Sequence, residues 1–210
     1  MGHLNRLAAL GLASVLLAGC LAEASASPAA PASAPATPPP ASAPASGSAS
    51  PDQTTEPIPS ADLGEFSCDL PVVEDASVAR AQIVDVRNGT HVGYDRVVFE
   101  FAEGLPEMTL DRAAPPFNHD ASGQPIDVEG TSFLRLTMRG GTKQTEDGTS
   151  SYDGPTDFDP GLPMLGDLVE GGDFEAQSTW YLGLSAEACV RVTQLVGEGG
   201  PARLVIDVAH

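Results

Sequence analysis

In the heptapeptide FLRLTMR, residues 133–139, apolar and polar side chains alternate from Leu134 onward. Its two leucines and its methionine fall on one face, and its two arginines fall on the other. A period of two is the pattern of a β-strand with one buried face and one solvated face. The glycines that follow, Gly140 and Gly141, end the strand. This heptapeptide therefore predicts a half-buried strand in a β-protein.

Similar short runs recur along the chain, separated by glycine, proline or acidic residues. The predicted strands cover residues 78–87, 96–101, 133–139, 178–184, 189–196 and 203–208. Asn88-Gly89 predicts a tight turn after the first of them, because both residues tolerate positive φ. Residues 162–169 are the one stretch for which we predict a short helical turn. The pattern predicts an all-β fold, with a single antiparallel β-sandwich domain.

The predicted domain, residues 62–210, is strongly acidic. It holds nine of the ten Lys and Arg residues and 26 of the 29 Asp and Glu residues, so its net charge is 9 − 26 = −17. Such a charge argues against binding to nucleic acid and against electrostatic binding to anionic lipid. It suits neutral glycans or a basic protein partner.

Residues 1–19 have the parts of a lipoprotein signal peptide. Arg6 supplies a positive charge, residues 7–17 are apolar, and Leu16-Leu17-Ala18-Gly19-Cys20 reads as a bacterial lipobox. We therefore predict that Cys20 is lipidated and anchors an extracytoplasmic protein to the membrane. The alternative is an ordinary signal peptide that is cleaved near Ala24-Ser25-Ala26.

Residues 20–61 continue from Cys20 into a stretch of Ala, Pro and Ser that is almost without charge. Such a composition cannot bury enough apolar surface to offset its ordering entropy, which predicts a disordered tether. Closely spaced prolines favour polyproline II, so roughly 40 residues at about 3.1 Å each reach up to about 120 Å. A spacer with no specific length requirement is an equally good interpretation.

Two cysteines remain once Cys20 is assigned to lipid, namely Cys68 and Cys189. An even remainder in an exported domain predicts a disulfide between them. It would hold the start of the domain near its penultimate strand. The alternative is two buried free thiols.

Three landmarks resemble a known family. HVGYDRVVFEF at residues 91–101, GDFE at 172–175 and PARLVIDV at 201–208 are similar to the opening hairpin and later landmarks of AMIN-like domains. The resemblance implies a β-sandwich without catalytic activity. In the related AMIN family such modules bind peptidoglycan and direct envelope proteins such as cell-wall amidases.

The hairpin has the densest set of polar side chains. We predict a ligand site formed by His91, Tyr94, Asp95 and Arg96, with Trp180 as an aromatic platform for a sugar. The alternative for Asp95 and Arg96 is a structural role in which they tie a turn to the neighbouring sheet. Trp180 is adjacent to Tyr181 on a predicted strand, so one of the two rings should enter the core and the other should reach the surface.

Metal and cofactor sites are not predicted. His91, His210 and Asp95 would be the ligands of a transition metal if the first and last strands paired, but their spacing matches no metal motif. The acidic loop 146–159 lacks the Asp-x-Asp-x-Asp-Gly order of a calcium site, so a solvated loop is the better interpretation.

The sequence predicts a protein that is not an enzyme, since no nucleophile motif or catalytic carboxylate pair stands out. We expect it to bind an envelope component, either peptidoglycan or another wall glycan. The alternative is an interaction or assembly factor that holds a secreted enzyme or a transporter near the membrane.

Overall fold

The computed structural model describes residues 63–197 and 201–210. The signal peptide, the lipidated Cys20 and the tether fall outside these residues and stay predictions. The part of the chain described is all-β, and its strands are β1 (Val72–Glu74), β2 (Ala81–His91), β3 (Tyr94–Phe101), β4 (Glu107–Ala113), β5 (Phe117–Asn118), β6 (Pro125–Ile126), β7 (Ser132–Arg139), β8 (Gly141–Thr142), β9 (Asp157–Phe158), β10 (Leu165–Phe174), β11 (Gln177–Leu184), β12 (Val190–Leu195) and β13 (Ala202–Ala209). Within the same residues, no helix is long and apolar enough to span a membrane.

The strands form two large sheets and one small one. The first has six strands in the order β1-β4-β7-β11-β10-β9, and the second has five in the order β12-β13-β3-β2-β8. Neighbouring strands run antiparallel, except that β8 pairs with the start of β2 in parallel. The last strand, β13, therefore lies in the middle of the five-stranded sheet, between β3 and β12.

One hydrophobic core lies between the two large sheets. The alternating apolar residues of β7 point into it, as the period of two predicted. The other sheet contributes the alternate residues of β3 and β13, which are Val97, Phe99, Phe101, Leu204, Ile206 and Val208. Both faces of this core are strand faces, so the β-sandwich prediction is confirmed.

A second, smaller apolar cluster covers the outer face of the six-stranded sheet. The β5–β6 hairpin places Phe117 against Tyr181, with ring centroids 4.6 Å apart, and against Phe133, at 5.1 Å. Trp180 enters the main core, and Tyr181 lies on the opposite face. The expectation that one of the two rings reaches the surface is wrong, because the hairpin buries Tyr181 as well.

The predicted turn at Asn88-Gly89 is also wrong. Both residues belong to β2 and pair with Val97 and Arg96 of β3. The chain turns four residues later, where Gly93 adopts a φ of 86°. Glycine supplies this left-handed conformation without a steric cost, so the turn forms there. As a result β2 continues four residues beyond its predicted end, and β3 begins two residues before its predicted start.

Residues 162–169 do not form the predicted helical turn. Their second half belongs to β10, which pairs with β11 along most of its length. Pro163 and the glycines at 166, 171 and 172 disfavour a helix, and burial of Leu165 and Leu168 in the core stabilises the strand instead.

Candidate functional site

Asp95 is fully buried at the start of β3, on the face that points between the sheets. Its Oδ2 accepts hydrogen bonds from the backbone N–H groups of Met164, at 2.6 Å, and Leu165, at 2.9 Å. The Nε2 of His210 lies 3.5 Å from the other oxygen, Oδ1. A carboxylate in β3 thus holds the first residues of β10, and it links the two sheets at this end of the sandwich.

Arg96 points to the opposite side of β3, toward the outer face of the five-stranded sheet. Its Nε and Nη2 donate to the two carboxylate oxygens of Asp207, at 2.6 and 2.9 Å. Arg191 on β12 donates to the same carboxylate through Nε, at 2.9 Å, and Nη2, at 2.6 Å. One buried aspartate on β13 therefore joins the strands on both of its sides.

Three aromatic rings, those of Phe66, His91 and Tyr94, pack beside the arginines of this ion-pair network. The rings of His91 and Tyr94 lie face to face, with centroids 4.9 Å apart. The guanidinium of Arg191 lies 5.1 Å from the centroid of the Tyr94 ring and 4.5 Å from that of Phe66, and these two rings are 6.1 Å apart. Partial burial, and then the charge of Arg96, lower the pKa of His91. His91 is thus held neutral at physiological pH, as a flat polar ring at the edge of the stack.

The structure separates the predicted site residues into three groups. Asp95 and Arg96 are buried and make hydrogen bonds within the fold, Asp95 to the start of β10 and Arg96 to Asp207. These contacts fit the alternative interpretation, in which the two residues have a structural role. His91 and Tyr94 are half-buried beside the β2–β3 turn, where Val92 is 100% exposed. Trp180 is 0% exposed, so it offers no ring surface to a ligand.

The burial of Trp180 has a clear cause. Its ring packs edge-on against Phe99 of the facing sheet, at 5.3 Å, and its Nε1 donates to the hydroxyl of Ser178, at 2.9 Å. An aromatic ring that fills the core and has its only donor satisfied is a packing residue. The expectation that Trp180 contributes to a ligand platform is therefore corrected.

The sequence analysis did not identify a second polar cluster, which lies between β8 and the second half of β10. The carboxylate of Asp173 accepts from the Thr142 hydroxyl, at 2.8 Å, and from the backbone N–H of Lys143, at 2.6 Å. The Nζ of Lys143 donates to Glu170, at 2.5 Å. The GDFE landmark contains Asp173 and was therefore the one sequence signal for this cluster. The role of Asp173 could not be predicted, because the sequence does not show that β8 lies next to it.

Glu170 is the buried acid of this cluster. Burial raises its pKa, and the contact with Lys143 offsets only part of that effect. Its N–H donates to the carbonyl of Thr156, at 2.8 Å, while Oε1 is buried without a hydrogen-bond partner. Glu170 therefore holds both ends of the long loop that follows β8.

That loop also borders an open cleft of about 460 Å³ between itself and the ends of β2 and β3. The lining residues are Arg80, Gln82, Ala102, Glu103, Glu146 and Asp147. The carboxylate of Asp147 accepts from the hydroxyls of Thr145 and Thr149, which lowers its pKa and closes a tight turn. The acidic loop is thus organised by its own hydroxyl groups.

The described residues contain no group of three or more His, Cys, Asp or Glu side chains that could hold a metal ion. The last strand does not pair with the first predicted strand, β2, but with β3, and this pairing brings His210 to Asp95, whereas His91 is stacked on Tyr94. His91 and His210 therefore contact different residues and do not face a common point.

The predicted disulfide is present between Cys68 and Cys189, whose Cα atoms lie 4.2 Å apart. Cys189 immediately precedes β12, the penultimate strand. Beside the disulfide, Ser67 and Val190 exchange two backbone hydrogen bonds of 2.8 Å. The start of the domain is therefore fixed to this strand, as the sequence predicted.

Fold and site together define a β-sandwich module with buried ion pairs that join its strands. The sequence model of the AMIN-like domain matches residues 81–210, more than half of the chain, so the chain belongs to the AMIN-like family. This membership indicates a cell-wall-targeting or interaction module of the kind found in extracytoplasmic proteins. Neither the curated proteins nor the solved structures contain a significant match.

Proposed function

We propose that this protein is a non-catalytic, envelope-binding lipoprotein whose AMIN-like domain binds peptidoglycan or another wall glycan. Cys20 would carry the lipid anchor, and residues 21–61 would let the domain reach the wall. The observation that carries this proposal is the AMIN-like match over residues 81–210, which includes all the strands of the five-stranded sheet and most of the six-stranded one.

The charges of the domain favour a neutral ligand over an anionic one. Seven of its nine basic side chains already contact a carboxylate within the fold, namely Arg87, Arg96, Arg112, Arg139, Lys143, Arg191 and Arg203. The many remaining carboxylates leave the surface acidic. Hydroxyl groups of a neutral glycan can bind such a surface, whereas an anionic polymer would be repelled.

The exposed end of the β2–β3 hairpin is the contact region we favour. Val92 is fully exposed there, and the half-buried rings of His91 and Tyr94 flank it. Apolar and aromatic groups at one protruding turn suit the apolar faces of sugar rings.

The test is co-sedimentation of the full chain carrying Cys20→Ala with purified cell walls at low salt. We expect the protein to pellet with the walls, and we expect Val92→Asp to reduce the pelleted fraction. Val196→Asp is the matched control, because Val196 is also an exposed valine, at 61%, but lies after β12. Equal loss in both variants would remove the hairpin from the proposal.

A second candidate function is an assembly factor that holds a secreted enzyme or a transporter near the membrane. The specific observation in its favour is the short edge strand β1, on which Val73 is 59% exposed. Edge strands with exposed apolar side chains are common protein-docking elements. If the domain ignores cell walls but cross-links in cells to one secreted protein through β1, this function replaces the first.

A further inference from the structure

Residues 63–68 lie along β12 and over the outer face of the five-stranded sheet, ahead of the part that matches the family. We call them the strap. Ser67 pairs with Val190, and the carbonyl of Leu63 accepts from the hydroxyl of Thr193, at 3.3 Å. The strap therefore follows the outer edge of β12 from Val190 to Thr193.

The strap also covers the stack above the buried ion pairs. Phe66 lies on the guanidinium of Arg191, at 4.5 Å, and the carbonyl of Gly64 accepts from Nη1 of the same arginine, at 3.4 Å. The same guanidinium lies 5.1 Å from the centroid of the Tyr94 ring, and the rings of Phe66 and Tyr94 lie 6.1 Å apart. Removing the strap would expose one face of Arg191, the side of Tyr94 and the free edge of β12.

Few interactions besides the disulfide hold the strap in place. Among the described residues they are the two backbone bonds to Val190, the contacts of the Phe66 ring with Arg191 and Tyr94, and two long hydrogen bonds. Each exposed hydrogen bond of this kind contributes little, because water competes for the same donors and acceptors. The covalent bond between Cys68 and Cys189 is therefore the strongest restraint on the strap.

The disulfide is open to a reductant. Cys68 is exposed and Cys189 is half-buried, both at the edge of the five-stranded sheet. A dithiol can reduce it in a two-electron exchange in which the S–S bond breaks, each sulfur gains a proton, and the dithiol becomes a cyclic disulfide.

We propose that residues 63–68 form a disulfide-locked strap, and that reduction of Cys68–Cys189 opens the surface formed by Arg191, Tyr94 and the edge of β12. This inference concerns the redox state of the domain and does not depend on the proposed wall ligand. An exposed edge strand beside an arginine and an aromatic ring is a surface for an extended peptide that carries an aromatic side chain, as the strap itself does.

The test is amide hydrogen exchange of the full chain with Cys20→Ala, measured with and without dithiothreitol. We expect reduction to speed exchange at Ser67 and Val190 by about tenfold or more, the equivalent of about 1.4 kcal/mol of lost protection. Strands β7 and β11 should keep their protection, because they lie in the other sheet.

Two results would overturn the proposal. Unchanged exchange at Ser67 and Val190 would show that the disulfide does not lock the strap. Faster exchange throughout β7 and β11 would show that the disulfide holds the whole fold and not a local segment.

Phe66→Ala is the second variant. It should have little effect on exchange in the oxidised protein and should increase strap exchange further in the reduced one.

Discussion

Arg96 of β3 and Asp207 of β13 face each other in register and are joined by two hydrogen bonds, although they are 111 residues apart in the chain. One belongs to the family's opening hairpin and the other to its closing strand. Their pairing, shared with Arg191, explains how the first and last landmarks meet in one sheet.

Asp207→Asn should destabilise the domain strongly. It would leave the buried guanidinium of Arg96 and the half-buried one of Arg191 without their carboxylate, and breaking a buried pair in this way costs about 3 to 5 kcal/mol. Urea unfolding measures the change in free energy. The control is Glu107→Gln, which removes the exposed pair with Arg139 and should cost less than about 1 kcal/mol. Equal effects of the two variants would contradict a central role for Asp207.

Asp95→Ala should loosen the start of β10. The substitution would leave the N–H groups of Met164 and Leu165 buried without an acceptor, at about 1 to 3 kcal/mol for each. Asp95→Asn keeps one acceptor oxygen and should lose less. Hydrogen exchange at Leu165 reports the local effect, and wild-type protection in Asp95→Ala would disprove it.

The pH dependence of stability should include a contribution from Glu170. Burial raises its pKa above the ordinary value of 4.5, so the folded state binds this proton more tightly than the unfolded state. That contribution is complete at pH values below the ordinary pKa, and it is lost as the pH rises through the higher folded pKa. Glu170→Gln should therefore gain stability relative to wild type as the pH rises from 4.5 through the higher folded-state pKa of Glu170.

Thermal unfolding of both proteins across this range measures the difference. Glu107→Gln again serves as the control, because it removes a carboxylate whose side chain is 40% exposed and which pairs with Arg139 at the surface. If the melting temperatures of wild type and Glu170→Gln stay parallel at all pH values, the buried acid does not titrate as proposed.

Gly183→Ala should be much more damaging than Gly89→Ala. A Cβ atom on Gly183 would lie 1.9 Å from the carbonyl oxygen of Glu129, whereas one on Gly89 would meet no atom within 4 Å. Overpacking against a fixed backbone costs about 1 to 3 kcal/mol or more. Chemical unfolding of the two variants gives the comparison, and equal stabilities would contradict this close approach.

Cys20→Ala should move the protein from the membrane fraction to the soluble fraction of the producing cells. Two acyl chains anchor a protein stably, and the substitution removes the thiol that would carry them. Fractionation with an antibody to the domain measures the distribution. Protein that stays fully membrane-bound without Cys20 is not a lipoprotein of the kind proposed.

Much of the fold was predictable because strand periodicity is local. The alternation of residues 133–139 placed the buried faces of β7 correctly, and the even number of remaining cysteines predicted the disulfide. The Asn88-Gly89 turn was wrong because a favourable local turn signal lost to a longer strand pairing that ends at Gly93. Tertiary contacts outweighed a preference worth about a kcal/mol.

The candidate site was less predictable, because the role of each residue depends on which face of the sheet its side chain occupies. His91, Tyr94, Asp95 and Arg96 are neighbours in sequence, but alternation sends Asp95 inward and Arg96 outward. Trp180 and Tyr181 were expected on opposite faces, and they are. The β5–β6 hairpin that covers Tyr181 lies more than 50 residues earlier in the chain, so no local pattern could show its burial.

The central claim is that this AMIN-like domain binds the cell wall, and co-sedimentation tests it most directly. The account predicts that the chain with Cys20→Ala pellets with purified walls at low salt, and that Val92→Asp pellets less while Val196→Asp pellets like the parent. Failure of the parent protein to pellet with walls at low salt would contradict the account.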